Sequence, residues 1–541
     1  MSYSPLRIRP NSPRVTSATT MMVNPSLDLK DLPQLMNPAQ ALQIVNYVPT
    51  SDSTLQSRKG LTRIFTVAGN HPVTLLQQFT SDIWIFGYNT TTAAYTISTG
   101  LVTNIKTNWP TNAPQSGVRY GEYFFVCNGS DVIHRINTSL AITAVAGSPH
   151  AKILKAIGPR LYAGNLSTDA TAVAYSYVDD GTNPPFTNFT VGTGSDEGGL
   201  VNYRNAGDVT AIDSLGANII VGAKQGKWAF TTTSIDVGGT LQKVDQVVQQ
   251  RIDMGMARAT ITIPKGMFYV NAGGMWQLQS IGQSNVPFSE QEFEASLILG
   301  VTYFNNIDLT NADWAYDAKL DTLFLTCARD SAENNLIIAY NLSSRTYAEF
   351  SGWNINRFMN IDQVIYGAGS AQTTVWQCFD GFEDDGNDIW TTFYQELKLG
   401  DLETRQELLK CYLDAFLSPS SNLLVCFDIY DVQGVFVPNK LCYTFTSQSG
   451  NGGAAGWGQT SWGLAGFGGP GGSAGSGSGG GVDNGNMTEN FDGFGPGHIR
   501  NFQRIRIKIT QHSKVPHKLV WIKAQSEPKI QIRRRKMQIV T

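Results

Sequence analysis

At 541 residues the chain exceeds one ordinary compact domain and calls for two or three units or a repeat architecture. Hydrophobic residues make up 41% and aromatics 11%, ample for a core, while charged residues at 15% fall well below the usual share. The formal net charge of −3 gives no global electrostatic case for a nucleic-acid binder, no run approaches the ~18 apolar residues of a membrane-spanning helix, and residues 1–10 lack the apolar stretch of a secretory signal.

Those features lead to the expectation of synthesis in a reducing cytoplasm. Cys127, Cys327, Cys378, Cys411, Cys426 and Cys442 are widely spaced, contain no CxxC pair and lie mostly in apolar runs such as FFVCNG and LLVCFDI. They read as small buried hydrophobes rather than metal or redox groups.

Residues 1–30 are polar, proline-dotted and weakly basic, an arm expected to be flexible alone and ordered by a partner. Residues 37–47 follow as a short amphipathic segment. Its Asn-Pro opening suits a helix start, and Ala41, Leu42 and Val45 fall near one face. Leu55 to Arg58 then lead through Lys59-Gly60 into the strand-like run from Leu61 to Val67.

From Ile83 a unit recurs, made of an apolar strand, a Gly/Asn turn and a second strand. Its copies begin at Ile83, Tyr123, Arg160, Asn218, Met267, Thr322 and Val364. The mean spacing of about 47 residues matches a four-stranded propeller blade at roughly 40 to 50. One such hairpin cannot bury both faces alone, whereas radial stacking gives each sheet a neighbour on either side. Seven units predict a β-propeller of six to eight blades over 31–388. Tyr123, Phe124, Trp228, Trp276 and Trp376 are expected to pack between its sheets.

After Gly381 the pattern changes. The acidic stretch from Glu383 to Asp388 has calcium-loop composition without the ordered register or terminal Glu, and reads as a polar turn between domains. Strand-like runs at 389–394, 408–416 and 422–430 open a β-sandwich-like domain over 389–541. Within it, 449–495 is a Gly-rich insertion whose Trp457 and Trp462 a pure linker would lack, so they are candidates for docking on a partner or on the domain itself. From Arg504 to Ile509, basic residues and isoleucines alternate strictly, and Leu519 to Ile522 supplies a strand able to pair with that run. The tail carries a basic cluster, Arg533, Arg534 and Arg535, suited to a solvated end or to a hook on an acidic or phosphate-bearing partner.

No nucleophile elbow, P-loop or dinucleotide fingerprint occurs in a strand-to-helix setting. His512 and His517 lack a carboxylate or cysteine at ligand spacing. No catalytic residue, cofactor or metal site is nominated.

The leucine-rich lead, the alanine/asparagine segment at 37–47 and the basic corner before the first blade together resemble the opening of the tail nozzle, or tail tubular protein B, proteins of short-tailed phages. The family form ends Arg-Pro-Gly where this chain has Arg58-Lys59-Gly60. The strands around the Gly-rich block are similar to the family's closing hairpin. The resemblance implies a structural virion protein of the tail, assembled in the host cytoplasm as a homo-hexameric ring without catalysis. It also implies contacts to the head-to-tail adaptor and to tail fibres or a tip plug, with double-stranded DNA passing through the lumen without specific binding. A duplex conduit should not grip phosphates, and the low net charge is compatible with that demand. Arg58, Lys59, Trp457, Trp462 and Arg533 to Arg535 are the residues singled out for partner contact. The alternative is a carbohydrate- or receptor-binding propeller; a propeller glycosidase would need a carboxylate pair that nothing in the sequence nominates.

Overall fold

A computed structural model describes residues 17–22, 26–27, 40–49, 55–178, 188–283, 286–292, 303–304, 306–397, 406–417, 422–431, 433–446, 486–491, 500–513 and 517–528. The chain divides into two compact units, Lys59–Gly386 and a discontinuous one built from Met1–Arg58 and Asn387–Thr541. The sequence boundary at 31 therefore moves to 59. Strands at 43–45 and 55–57 find their partners in the C-terminal segment, not among the blades.

Lys59–Gly386 is a β-propeller. Its innermost strands are Val73–Gln78, Ser116–Tyr120, Ala151–Ile157, Val209–Leu215, Thr260–Ile263, Ile307–Asp317 and Ile355–Ile361. Each lies against the next, and the last returns to the first, so the ring closes with seven blades. Six of these strands open isolated four-stranded sheets, and Ile307–Asp317 opens a seventh antiparallel set with Thr322–Arg329, Leu336–Asn341 and Thr346–Ser351. The seven sequence units coincide with the second strand of each blade, where alternation is masked by burial on both faces.

Packing follows the radial logic. Phe65, Phe86, Tyr95, Met359 and Val375 fill the space between blades 7 and 1, while Tyr162, Val173, Trp228 and Phe230 fill that between blades 3 and 4. Each fully buried aromatic of this kind contributes about 2–3 kcal/mol through the area it removes from water. Phe124, Trp228 and Trp376 are buried as expected, while Tyr123 and Trp276 are partly buried, packed against the cores around Phe125 and Tyr269.

The ring is closed by the strand at its start. Leu61–Thr66 is the outermost strand of blade 7 and pairs antiparallel with Thr374–Cys378. At the corner, Gly60 N–H donates to Gly381 O at 3.1 Å and Leu61 N–H to Glu383 O at 2.8 Å, while Asp385 N–H donates to Leu61 O at 2.9 Å. The acidic turn is held from the propeller side. Trp353 Nε1 donates to Asp384 at 2.8 Å, and Arg63 Nε and Trp376 Nε1 donate to Asp385 at 2.9 and 3.2 Å.

The second unit is β-sandwich-like. One sheet runs Gln43–Val45, Ile389–Leu397, Arg500–Ser513, Asn422–Asp431 and Phe436–Thr446; the other centres on Gln406–Leu417 and His517–Pro528, flanked by Asn486–Phe491, Ser17–Met22 and Leu55–Ser57. Ile505, Ile507 and Ile509 are fully buried, in agreement with their alternation.

Four expectations change here. The segment at 40–49 is strand rather than helix, because it adds to the edge of Ile389–Leu397 and to Leu55–Ser57. The arm is partly tied down by its own chain, Ser17–Met22 lying along residues 521–526. The strand at 519–522 does not pair with 504–509, whose two edges are taken by Ile389–Leu397 and Asn422–Asp431; it pairs with Gln406–Leu417. Cys426 and Cys442, directly opposite on adjacent strands with Cα atoms 4.1 Å apart, form a disulfide rather than two free thiols. Cys127, Cys327 and Cys378 are buried thiols. Among the described residues, no helix is long and apolar enough to cross a membrane.

Candidate functional site

The chemistry of the propeller gathers where the innermost strands begin. Gln115 directly precedes the inner strand of blade 2, Arg258 precedes that of blade 5 by two residues, and Asn356 and Arg357 open that of blade 7. Asp313 lies in the inner strand of blade 6, after the register shift that follows Asp308. These positions converge at one mouth of the axial channel, since inner strands line a propeller's axis.

Arg258 spans that mouth. Its Nη2 donates to the carbonyl of Gln115 at 3.2 Å, joining blade 5 to blade 2 across the ring. Gln115 is itself locked, its backbone N–H donating to Thr74 Oγ1 at 3.1 Å and its side-chain amide to Thr91 O at 2.8 Å. Arg357 ties three blades together. Its Nε donates to Thr74 O at 2.9 Å and its Nη1 to Asn311 O at 3.0 Å and to its neighbour Asn356 O at 2.8 Å. Arg357 is buried, and its Nη2 has no hydrogen-bond partner.

Charge here is uneven. No carboxylate oxygen of a described residue comes within 4.0 Å of either guanidinium. The nearest acid, Asp313, accepts the backbone N–H of Phe358 at 2.8 Å. Burial pushes its carboxyl up, against the pull of Arg357. Burial, then repulsion from Arg357, brings Arg258 down to about 9. Burial likewise lowers Arg357. Two cations thus share one imperfectly placed anion in a site of low dielectric, where unpaired charge is most costly.

The residues singled out from sequence lie elsewhere. Arg58 is only 1% exposed, and its Nε donates to Asn46 Oδ1 at 2.9 Å. It is therefore an internal brace of its own unit rather than a surface contact. Lys59 is exposed at the propeller's corner. Trp457, Trp462, Arg533, Arg534 and Arg535 lie outside the described residues. Among the described residues, no group of three His, Cys, Asp or Glu side chains could hold a metal. His512 instead meets Asp388 at 3.3 Å and stacks on Trp390, while His517 is buried against Tyr47.

The axial arginines were missed because they sit 99 positions apart, one of them outside any strand, in runs with no motif. Their only sequence signal is an arginine at or just before an inner strand, in a chain poor in charge.

The fold and this geometry define the class, a seven-bladed β-propeller joined to a sandwich-like unit. No family description and no curated protein matches the chain. Solved structures that are similar include the computationally designed Ika8 protein, at 11% identity and a TM-score of 0.36 over 65% of this chain and 98% of that one. Another is the extracellular domain of a putative hybrid two-component system from B. thetaiotaomicron, at 12% identity and 0.41 over 63% and 46%. A third is BamB from Moraxella catarrhalis, at 10% and 0.36 over 62% and 94%. Likenesses this loose assign no role.

Proposed function

We propose that this chain is a structural subunit of a short-tailed phage tail, a nozzle protein that forms a homo-hexameric ring beneath the head-to-tail adaptor and contributes to the conduit for genome ejection. The observation carrying this reading is the order of parts. A propeller is inserted, at the Arg58-Lys59-Gly60 corner, into a sandwich-like unit whose strands come from both flanking segments. The order of lead, basic corner, propeller and following sandwich-like module is the one the resemblance implies, and the sharing of the lead's strands with the C-terminal segment goes beyond it. Insertion at one corner leaves the propeller free to differ while the flanking unit keeps a common assembly role.

The test is negative-stain class averaging of the purified chain, alone and mixed with the adaptor ring. Six-fold rings with a lumen wide enough for duplex DNA are the expected outcome, and isolated single propellers in both samples would overturn the reading.

A second reading, a carbohydrate- or receptor-binding propeller protein, draws on Trp390. That side chain is 60% exposed and stacks on His512 with ring centroids 3.9 Å apart, a flat platform of the kind that sugars cover. Saturable binding on a glycan panel, lost in Trp390→Ala, would favour it.

A further inference from the structure

We propose that the mouth of the axial channel is a binding site for a small oxoanion, held between the guanidinium groups of Arg258 and Arg357. Nothing in the tail reading requires such a site, and it stands or falls separately.

Unmet donors mark the site. Arg357 is more than nine-tenths buried, anchors Nε and Nη1 on backbone carbonyls of blades 1, 6 and 7, and leaves Nη2 without a partner. Buried polar atoms of folded proteins are almost always satisfied, and an orphaned charged donor is among the most costly exceptions. Arg258 engages only Nη2, on Gln115 O. Its Nε and Nη1 have no hydrogen-bond partner among the described residues.

Charge points the same way. Cations elsewhere in the propeller find their partners inside the fold: Arg160, 5% exposed, donates to the carbonyls of Ser176, Glu197 and Ser195. Lys227 meets Glu290 at 2.6 Å, and Arg329 meets Glu349 at 2.6 Å. Among the described residues, Arg258 and Arg357 have no counter-ion within contact distance, and Asp313 is the acid that acts on both. A planar or tetrahedral oxoanion offers two or more acceptor oxygens, which matches the fork of a guanidinium better than a halide does. Seating it there would cancel the excess positive charge and satisfy the orphaned donor together. The rigid frame suits the task, because Arg357 is fixed by four carbonyls on three blades and Gln115 by Thr74 and Thr91.

The shared chemistry covers inorganic phosphate, sulfate and simple carboxylates, and the experiment separates them. The full-length chain is titrated with phosphate, sulfate or acetate at constant ionic strength set with sodium chloride. The thermal midpoint is followed, and phosphate binding is read directly by equilibrium dialysis. The expected result is a saturable, anion-selective rise in the midpoint, with about one phosphate or sulfate bound per chain. In Arg258→Gln, whose side chain gives up a single hydrogen bond, affinity should fall at least tenfold while the midpoint without anion stays level or rises. Equal midpoint shifts from chloride, no bound phosphate, or unchanged binding in Arg258→Gln would overturn the proposal. Should Arg258→Gln fold poorly, Arg258→Lys serves instead. It keeps the charge but loses the fork, and is expected to weaken binding by a smaller factor.

Discussion

The backbone at Gly60 lies so close to Glu383 that a Cβ on residue 60 would sit 1.9 Å from the carbonyl oxygen of Glu383. No side chain fits that gap, and the obstructing atoms are backbone rather than a movable tip. The contact occurs where the chain enters and leaves the propeller, and the two stretches exchange hydrogen bonds around it.

Gly60→Ala is therefore expected to force the corner apart and destabilise the propeller by roughly 2–4 kcal/mol, the range of severe steric substitutions. Chemical denaturation of the full chain checks this. Arg63→Ala, which removes a half-exposed partner of Asp385, should cost under about 1 kcal/mol. Equal effects of the two changes would contradict the assignment of the strain to Gly60.

His517 makes a pH prediction. Its Nε2 shares a hydrogen bond of 2.6 Å with the Tyr47 hydroxyl, and burial of the ring lowers its pKa to about 3. An unfolded histidine titrates near 6.5. Below that pH the unfolded chain takes up a proton the folded chain refuses. The stabilisation is complete above about pH 6.5 and declines by up to ~1.4 kcal/mol per pH unit as the pH falls toward 3. His517→Gln should flatten this slope between pH 6.5 and 4, and urea midpoints measured across that window that fall in parallel for both proteins would refute it.

The Cys426–Cys442 disulfide closes a loop with a sequence separation of 16. Closing a loop of that size stabilises by about 3 kcal/mol in the chain-entropy view. Reductant, or Cys442→Ser, should lower the unfolding midpoint of the sandwich-like unit and leave the propeller transition in place. Thiol counting before and after reduction should show two additional reactive groups; no change in the count would mean that the bridge does not form.

Lys227 tests buried charge between blades 4 and 5. Its side chain is 1% exposed and pairs with Glu290 and Asp253, with the Tyr269 ring 5.0 Å away. Lys227→Met leaves Glu290, whose side chain is 3% exposed, with only Arg251 and the Tyr269 hydroxyl as partners, and is expected to cost about 1–3 kcal/mol. Glu290→Gln added to it should recover part of that loss, by the logic of a double-mutant cycle. Strict additivity of the two losses would show that the pair is not coupled.

How far the sequence reaches depends on what each element needs. The second strand of every blade was legible, because runs such as IWIF at 83 and NIIV at 218 are apolar throughout and end in turn residues. The inner strands were not, because SGVRY at 116 and AKILKAI at 151 alternate weakly along the axis. The misread at 40–47 has the same origin. Ala41, Leu42 and Val45 fit a helical face, but pairing with Ile389–Leu397, more than 340 residues away, decides the conformation. The Cys426–Cys442 bridge and the electrostatic coupling of Arg258 to Arg357 depend on register and ring closure, which no local pattern encodes. The expected partner contacts at 457, 462 and 533–535 fall outside the described residues.

Ring closure also sets a schedule for synthesis. Leu61–Thr66 leaves the ribosome before any blade, yet its partner, Thr374–Cys378, emerges roughly 300 residues later. At about 5–20 residues per second that is a delay of some 15–60 seconds. Throughout it the first strand has an unpaired edge and the first blade an uncovered face. The nascent chain must keep that edge from foreign strands until its own last blade arrives, so the step most exposed to error comes at the end of the propeller's translation, not at its start.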